Sequence, residues 1–209
     1  LLTVALARVL QAHSDLLILG LYIVPGDLGA FSASKRIAFF VGAILVASNA
    51  IIVPKIARLH SSGKTLELQS LLTKITTITT FFAIIVALFI ALFSEFLLAL
   101  FDPSFSEKSA ILTILVIGQV LNVAFGPTAF LLSMTGNEKV LAKAMLISMV
   151  ITTTLTFLLI SNFGMLGAAY GSVLCALIWN FIVWSIGIRA VGIDPSIMGL
   201  IKLTFTRRN

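Results

Sequence analysis

Charge is what this sequence has least of. Only 11% of its 209 residues are charged, where a soluble domain carries about 25%. The chain is 59% apolar, with a mean hydropathy of +1.15. These values exclude a soluble globular domain and point to one integral membrane domain over 1–209. Cysteine is nearly absent: Cys175 stands alone in an apolar run, so a disulfide within the chain is excluded and a small packing residue is expected. Two histidines and eight carboxylates are too few and too scattered for catalysis. There is no paired acid, no His/Cys spacing for a metal, no glycine-rich phosphate loop and no nucleophile beside a base. The expectation is a protein that is not an enzyme and holds neither a metal nor a cofactor. His60 lies in a basic stretch and reads as solvated. His13 sits among the polar residues of the first span, where a proton relay is the lesser reading.

What is present is apolar length. Charge is missing from 37–54, 75–94, 109–137 and 144–188. A crossing takes about 20 such residues, so the last run is long enough for two, divided at Ser161-Asn162-Phe163-Gly164. Adding 1–24 gives six expected helices, at about 1–24, 28–53, 70–93, 108–134, 138–160 and 165–190. Pro25-Gly26 should end the first and Pro54 the second. Residues 55–74 should form a basic amphipathic connection, and Glu95 to Phe101 an interfacial turn. Gly126-Pro127 should kink the fourth helix, and 191–209 should be a tail. The fold class is all-α: a six-helix membrane bundle.

The net charge of +6 does not indicate nucleic acid, because the cations sort by side of the membrane. Lys55, Arg58, Lys64, Lys74, Lys139, Lys143, Arg189, Lys202, Arg207 and Arg208 fall on one side if the helices alternate. Asp27, Glu95, Asp102 and Glu107 fall on the other, with Lys108. Loops rich in Lys and Arg stay cytoplasmic, which puts both termini inside. Residue 1 is Leu and a span starts at once, so the chain is expected to be a fragment or a processed piece.

Arg8, Asp15, Lys35 and Arg36 break the sorting, since they lie in or beside greasy stretches. Charge at the bilayer centre costs about 2.5–3.5 kcal/mol per residue on insertion scales, so such groups usually face a partner or water. At 100° per residue, Arg8, Gln11, Asp15 and Tyr22 share about 60° of arc on the first helix. Ser32, Lys35, Gly42 and Asn49 make a stripe on the second, and Gln119, Asn122, Gly126 and Ser133 one on the fourth. Three stripes can converge on a wet cavity. The competing reading is packing: Asp15 pairs with Arg8, Lys35 or Arg36, and the amides bond between helices. One of Lys35 and Arg36 is expected to snorkel to the outer interface. Gly167 and Gly171 form a GxxxG and read as helix packing, as does the threonine run Thr152 to Thr156. Trp179, Asn180 and Trp184 fit an interface belt or a pocket, and the sequence leaves both open.

The segment LLTVALARVLQAHSDLLILGLYIVPGDLGAFSASKRIA resembles the start of the second half of bacterial polysaccharide flippases, of the multidrug/oligosaccharidyl-lipid/polysaccharide exporter superfamily. Asp15, Ile18-Leu19-Gly20, Gly29 and the segment 32–38 carry that likeness. It continues through Pro54 and the basic IIVPKIARLHSSGK, through Gly118-Gln119 with the turn at Gly136-Asn137, and through FGMLGAAYGSVL at 163–174. The resemblance covers nearly the whole chain. It implies one lobe, the C-terminal one, of a two-lobed transporter working by alternating access in the bacterial inner membrane. The implied partners are a lipid-linked oligosaccharide, membrane lipids, and an N-terminal lobe or a second copy. Arg8, Lys35 and Arg36 would meet pyrophosphate or acidic sugars, and Asp15 would hold a cation or couple an ion. Gln11, Asn49, Gln119 and Asn122 would line the cavity. A fragment, a split half and a lobe that dimerises remain alternatives. So do a multidrug or peptidoglycan-precursor exporter and, in another class, a non-transport membrane scaffold.

Overall fold

Proline opens the first well-described helix rather than closing its predecessor. The computed structural model describes residues 16–200. Residues 16–19 are helical, and the chain turns through 20–24. Most of the first expected span therefore lies outside the described residues. Helix α1, Pro25–Ser61, begins with Pro25 in its first turn, where a missing N–H is no loss. It also runs on through Pro54, against the expectation of a stop there. Pro54 cannot donate to the Ala50 carbonyl, yet the helix continues for seven residues beyond it, since a proline inside a membrane helix is tolerated where the backbone adjusts locally. At 1.5 Å per residue α1 is about 55 Å long, well beyond a hydrocarbon core of about 30 Å.

Helix α2, Thr65–Leu92, follows after a turn at Gly63, whose φ of 69° only glycine adopts freely. The expected connection over 55–74 is thus two helix ends and a short turn. The amphipathic expectation for its first part survives, with Ile52 and Ile56 buried and Lys55 and Arg58 exposed. A short helix α3, Ser94–Ala99, and a 3-10 turn, Pro103–Lys108, cross over to α4, Ser109–Ala124. Asp102 caps that turn by accepting from the Ser104 N–H at 2.8 Å. The expected kink at Gly126-Pro127 is a full break, with Gly126 at φ 67° and α5 resuming over Thr128–Met134.

Helix α6, Glu138–Val191, holds Gly164 at φ 54°, ψ −129°, inside the tetrad where a break is expected. There the chain folds back. The Thr156 hydroxyl lies 3.2 Å from the Cys175 thiol, which donates to the Thr152 carbonyl at 3.4 Å. Those pairings place the two limbs of α6 antiparallel. Four helical runs are long and apolar enough to cross a bilayer: Pro25–Ser61, Thr65–Leu92, Pro103–Met134 and Glu138–Val191. The last supplies two crossings. The protein is an all-α membrane bundle, with no strand among the described residues.

Helix α4 is central, packed against α1, α2 and α6. One apolar cluster joins Phe31, Ile37, Val41, Ala83, Leu112, Leu115 and Ala168. A second joins Ile52, Ile56, Leu68, Leu72, Leu131 and Ile193 at the end where the cations gather. At the opposite end the Phe105 ring closes on Gly29, and Lys108 pairs with Asp27 at 3.3 Å. The outward faces carry Phe39, Phe40, Phe81, Phe82 and Phe89, the surface a bilayer solvates.

Candidate functional site

Arg8, Gln11 and Asp15 lie outside the described residues, as does His13. Tyr22, the outermost member of their stripe, is half exposed and meets the Phe157 ring edge-on at 6.2 Å.

The stripe on α1 runs along the border of its buried face. Gly42 is buried, whereas Ser32, Lys35 and Asn49 are half-buried. Arg36 is exposed, on the same outward side as Phe39 and Phe40, as expected of a cation that snorkels. Depth follows from the helix rise. The charge-free residues 37–54 cover about 27 Å, nearly a whole hydrocarbon core. Lys35 and Arg36 therefore mark one edge of that layer, with Gly42 and Asn49 one and two heptads further in. The Asn49 Oδ1 atom is buried and meets no partner among the described residues. A buried carbonyl oxygen left so is expected to take a water or a solute donor.

The stripe on α4 divides between two neighbours. Gln119 faces α1: a Cβ on Gly42 would lie 2.5 Å from its Oε1, so the bare glycine is what admits the amide. Asn122 faces α6, where its Oδ1 accepts from Asn180 Nδ2 at 2.7 Å. Asn180 also donates to the Ala176 carbonyl at 2.9 Å. The structure thus brings Gly42 and Gln119 together as a candidate lining and uses Asn122 for helix-to-helix bonding. Gly167 backs directly onto the Leu159 carbonyl, whereas a Cβ at Gly171 would sit 3.5 Å from Thr156.

Sequence reading missed the region after α6. Gly192, at φ 74°, ends that helix, and its N–H returns to the Ile188 carbonyl at 2.9 Å. The chain expected as a tail over 191–209 is, in its described part, docked: Ile193, Asp194, Pro195 and Ser196 are all buried. The Asp194 Oδ1 accepts from Trp184 Nε1 at 2.9 Å and from the Ser196 N–H and hydroxyl at 2.9 and 2.6 Å. Trp184 therefore serves this segment. The available signals were a glycine stop and an Asp-Pro-Ser turn; nothing local names Gln69 on α2 as their partner.

The acids also sort in space. Among the described residues, Asp27, Glu95, Asp102 and Glu107 stand at one end of the bundle. Glu67, Glu138 and Asp194 stand at the other, with Lys55, Arg58, Lys64, Lys139, Lys143 and Arg189. No group of three or more potential metal-ligating side chains forms among the described residues. Asp102, at the acidic end, is held below the usual carboxylate range by the Ser104 hydroxyl, then by the Ser104 N–H.

Residues 2–158 match the MatE family, which is three quarters of the chain. This chain belongs to the MatE family. MatE proteins are membrane transporters, so the multi-pass bundle is a transporter domain. No curated protein and no solved structure gives a match. The MatE match includes α1, the Gln119 seam and the first limb of α6; the second limb and the docked segment lie beyond it.

Proposed function

We propose that this MatE chain supplies one lobe of a flippase that moves a lipid-linked oligosaccharide across the bacterial inner membrane by alternating access. The observation that carries the reading is the charge pattern along the spans. Lys35 stands at the border of the α1 buried face above the Gly42–Gln119 seam, while the described acids all lie at the bundle ends. A cavity shaped for cationic drugs would favour acids and aromatic faces at mid-depth. A cation at the rim with amides below it suits a pyrophosphate and the hydroxyls of a glycan.

In this reading Lys35 and Arg8 receive the pyrophosphate and Arg36 steers anionic headgroups from the interface. Gln11, Asn49 and Gln119 offer hydrogen bonds to the sugar, and Asp15 holds the coupling ion, H+ or Na+. The basic end is cytoplasmic, and both termini with it. The second lobe is supplied by further chain or by a second copy.

The test is flipping of a fluorescent pyrophosphate-linked oligosaccharide lipid in vesicles containing this lobe with its partner lobe. Arg8→Gln and Lys35→Gln should each lower the rate about 10- to 100-fold, the worth of a charge-assisted bond of about 1.5–3 kcal/mol. Unchanged flipping in both variants would overturn the assignment. A rate lost for the oligosaccharide lipid but retained for a cationic drug would favour the drug-exporter alternative.

A further inference from the structure

The break at Gly126-Pro127 frees the Ala124 carbonyl, which the Thr128 N–H would take in a continuous helix, and the segment 192–200 meets it. Ile197 N–H donates to the Ala124 carbonyl at 3.0 Å. The Thr76 hydroxyl of α2 donates to the Pro195 carbonyl at 2.7 Å, directly behind Gly126, where a Cβ would strike both atoms. Gln69 of α2 grips the same segment from both sides: its Nε2 donates to the Asp194 carbonyl at 2.6 Å and its Oε1 accepts from the Asp194 N–H at 2.8 Å. Asp194 in turn holds Trp184 of α6, and the Trp184 ring meets Phe125, at the break itself, edge-on at 6.5 Å. Ile193 enters the apolar cluster of Ile52, Ile56, Leu68, Leu72 and Leu131. One short segment thus bonds to α2, α4 and α6 and shares an apolar cluster with residues of α1 and α5.

We propose that residues 192–200 form a strap that sets the bend between α4 and α5, so that releasing the strap frees the bend at the basic end of the bundle. Gln69, Thr76 and Asp194 are its positioning residues. The physical reason is completeness of pairing: a broken helix within a bundle needs its freed groups satisfied by neighbours, and here the Ala124 carbonyl is satisfied by the segment after α6, itself held by Gln69 and Thr76 of α2. The bend lies four residues beyond Asn122 on the chain that carries Gln119, so its angle bears on the seam. The inference does not depend on which solute the protein moves.

Gly199 offers a clean lever. A Cβ there would lie 2.6 Å from the Asp194 carbonyl, 2.7 Å from Thr73 Oγ1 and 2.8 Å from Gln69 Nε2, and so disturbs the grip without touching α4 or α5. Amide hydrogen exchange on the full chain in lipid nanodiscs reads both places. In Gly199→Ala the amides of Asp194, Ser196 and Ile197 should exchange roughly tenfold faster, and those of Gly126, Thr128 and Leu131 should accelerate with them, while 37–52 stays unchanged. Thr76→Val, which keeps the shape and removes a single bond, should give the same pattern at smaller size and serves if Gly199→Ala fails to fold. Faster exchange in 194–197 with no change at 126–131 would overturn the coupling, and so would no acceleration at either place.

Discussion

At the scale of the residue, the two glycines of the GxxxG are not equivalent. Gly167 lies against the Leu159 backbone, which cannot give way as a side-chain end can, while Gly171 has ordinary contact distance to spare. Gly167→Ala should therefore destabilise the bundle by about 1–3 kcal/mol, and Gly171→Ala by much less, in reversible denaturation from micelles. The spacing announces that two small residues share a face; only the register of the opposing limb says which of them is in close contact. The same limit applies to Asn122. Its polarity within a span was legible, but its partner Asn180 lies 58 residues away and on a helix whose placement the sequence does not specify. A double-mutant cycle of Asn122→Ala and Asn180→Ala should give a coupling of about 0.6 kcal/mol and no more than about 1.7, the average and the maximum for hydrogen bonds between membrane helices. Outside the membrane, Asp102 is stabilised as the carboxylate by both Ser104 donors. Its depressed pKa makes the cap's contribution full above the ordinary carboxylate pKa of about 3.9 and lost as pH falls through Asp102's own, lower pKa. Ser104→Ala removes the larger of the two causes, so the Asp102 titration followed by NMR should move up toward the ordinary value.

At the scale of the element, breaks were easier to read than ends. The glycine at 164 and the Gly126-Pro127 pair both mark real interruptions, because a positive φ and a missing donor act locally whatever surrounds them. Gly164→Ala should cost about 1–3 kcal/mol, since φ 54° with ψ −129° is strained for any side chain, and the same denaturation assay measures it. Pro25 and Pro54 depart from the expected helix stops for a related reason. A proline at a helix start loses little, and a membrane helix tolerates one in its interior, so the residue alone does not say whether a helix stops, starts or continues. The docked strap was illegible because its bonds are long-range: Gln69 and Asp194 are separated by 125 positions, and neither stands in a pattern that announces the other.

At the scale of the whole molecule, composition and the sorting of charge indicated a membrane bundle, and its four apolar helical runs agree. The charge-bearing ends follow from the alternation of crossings, which hydropathy reports directly. Which amides line a path and which merely join helices does not follow, because both choices keep polar groups off the lipid face. The proposed orientation predicts that Lys64→Cys, in a Cys175→Ala background, reacts with impermeant thiol reagents only from the cytoplasmic side, and Ser106→Cys only from the outside. In the proposed function Lys35 faces water that an anionic headgroup can enter, and Lys35→Cys in the same background reports on it. That cysteine should be modified by an impermeant reagent from the outside, and more slowly when a soluble pyrophosphate-sugar is added. An unreactive Lys35→Cys beside a reactive Ser106→Cys would contradict it, and so would modification that pyrophosphate leaves untouched.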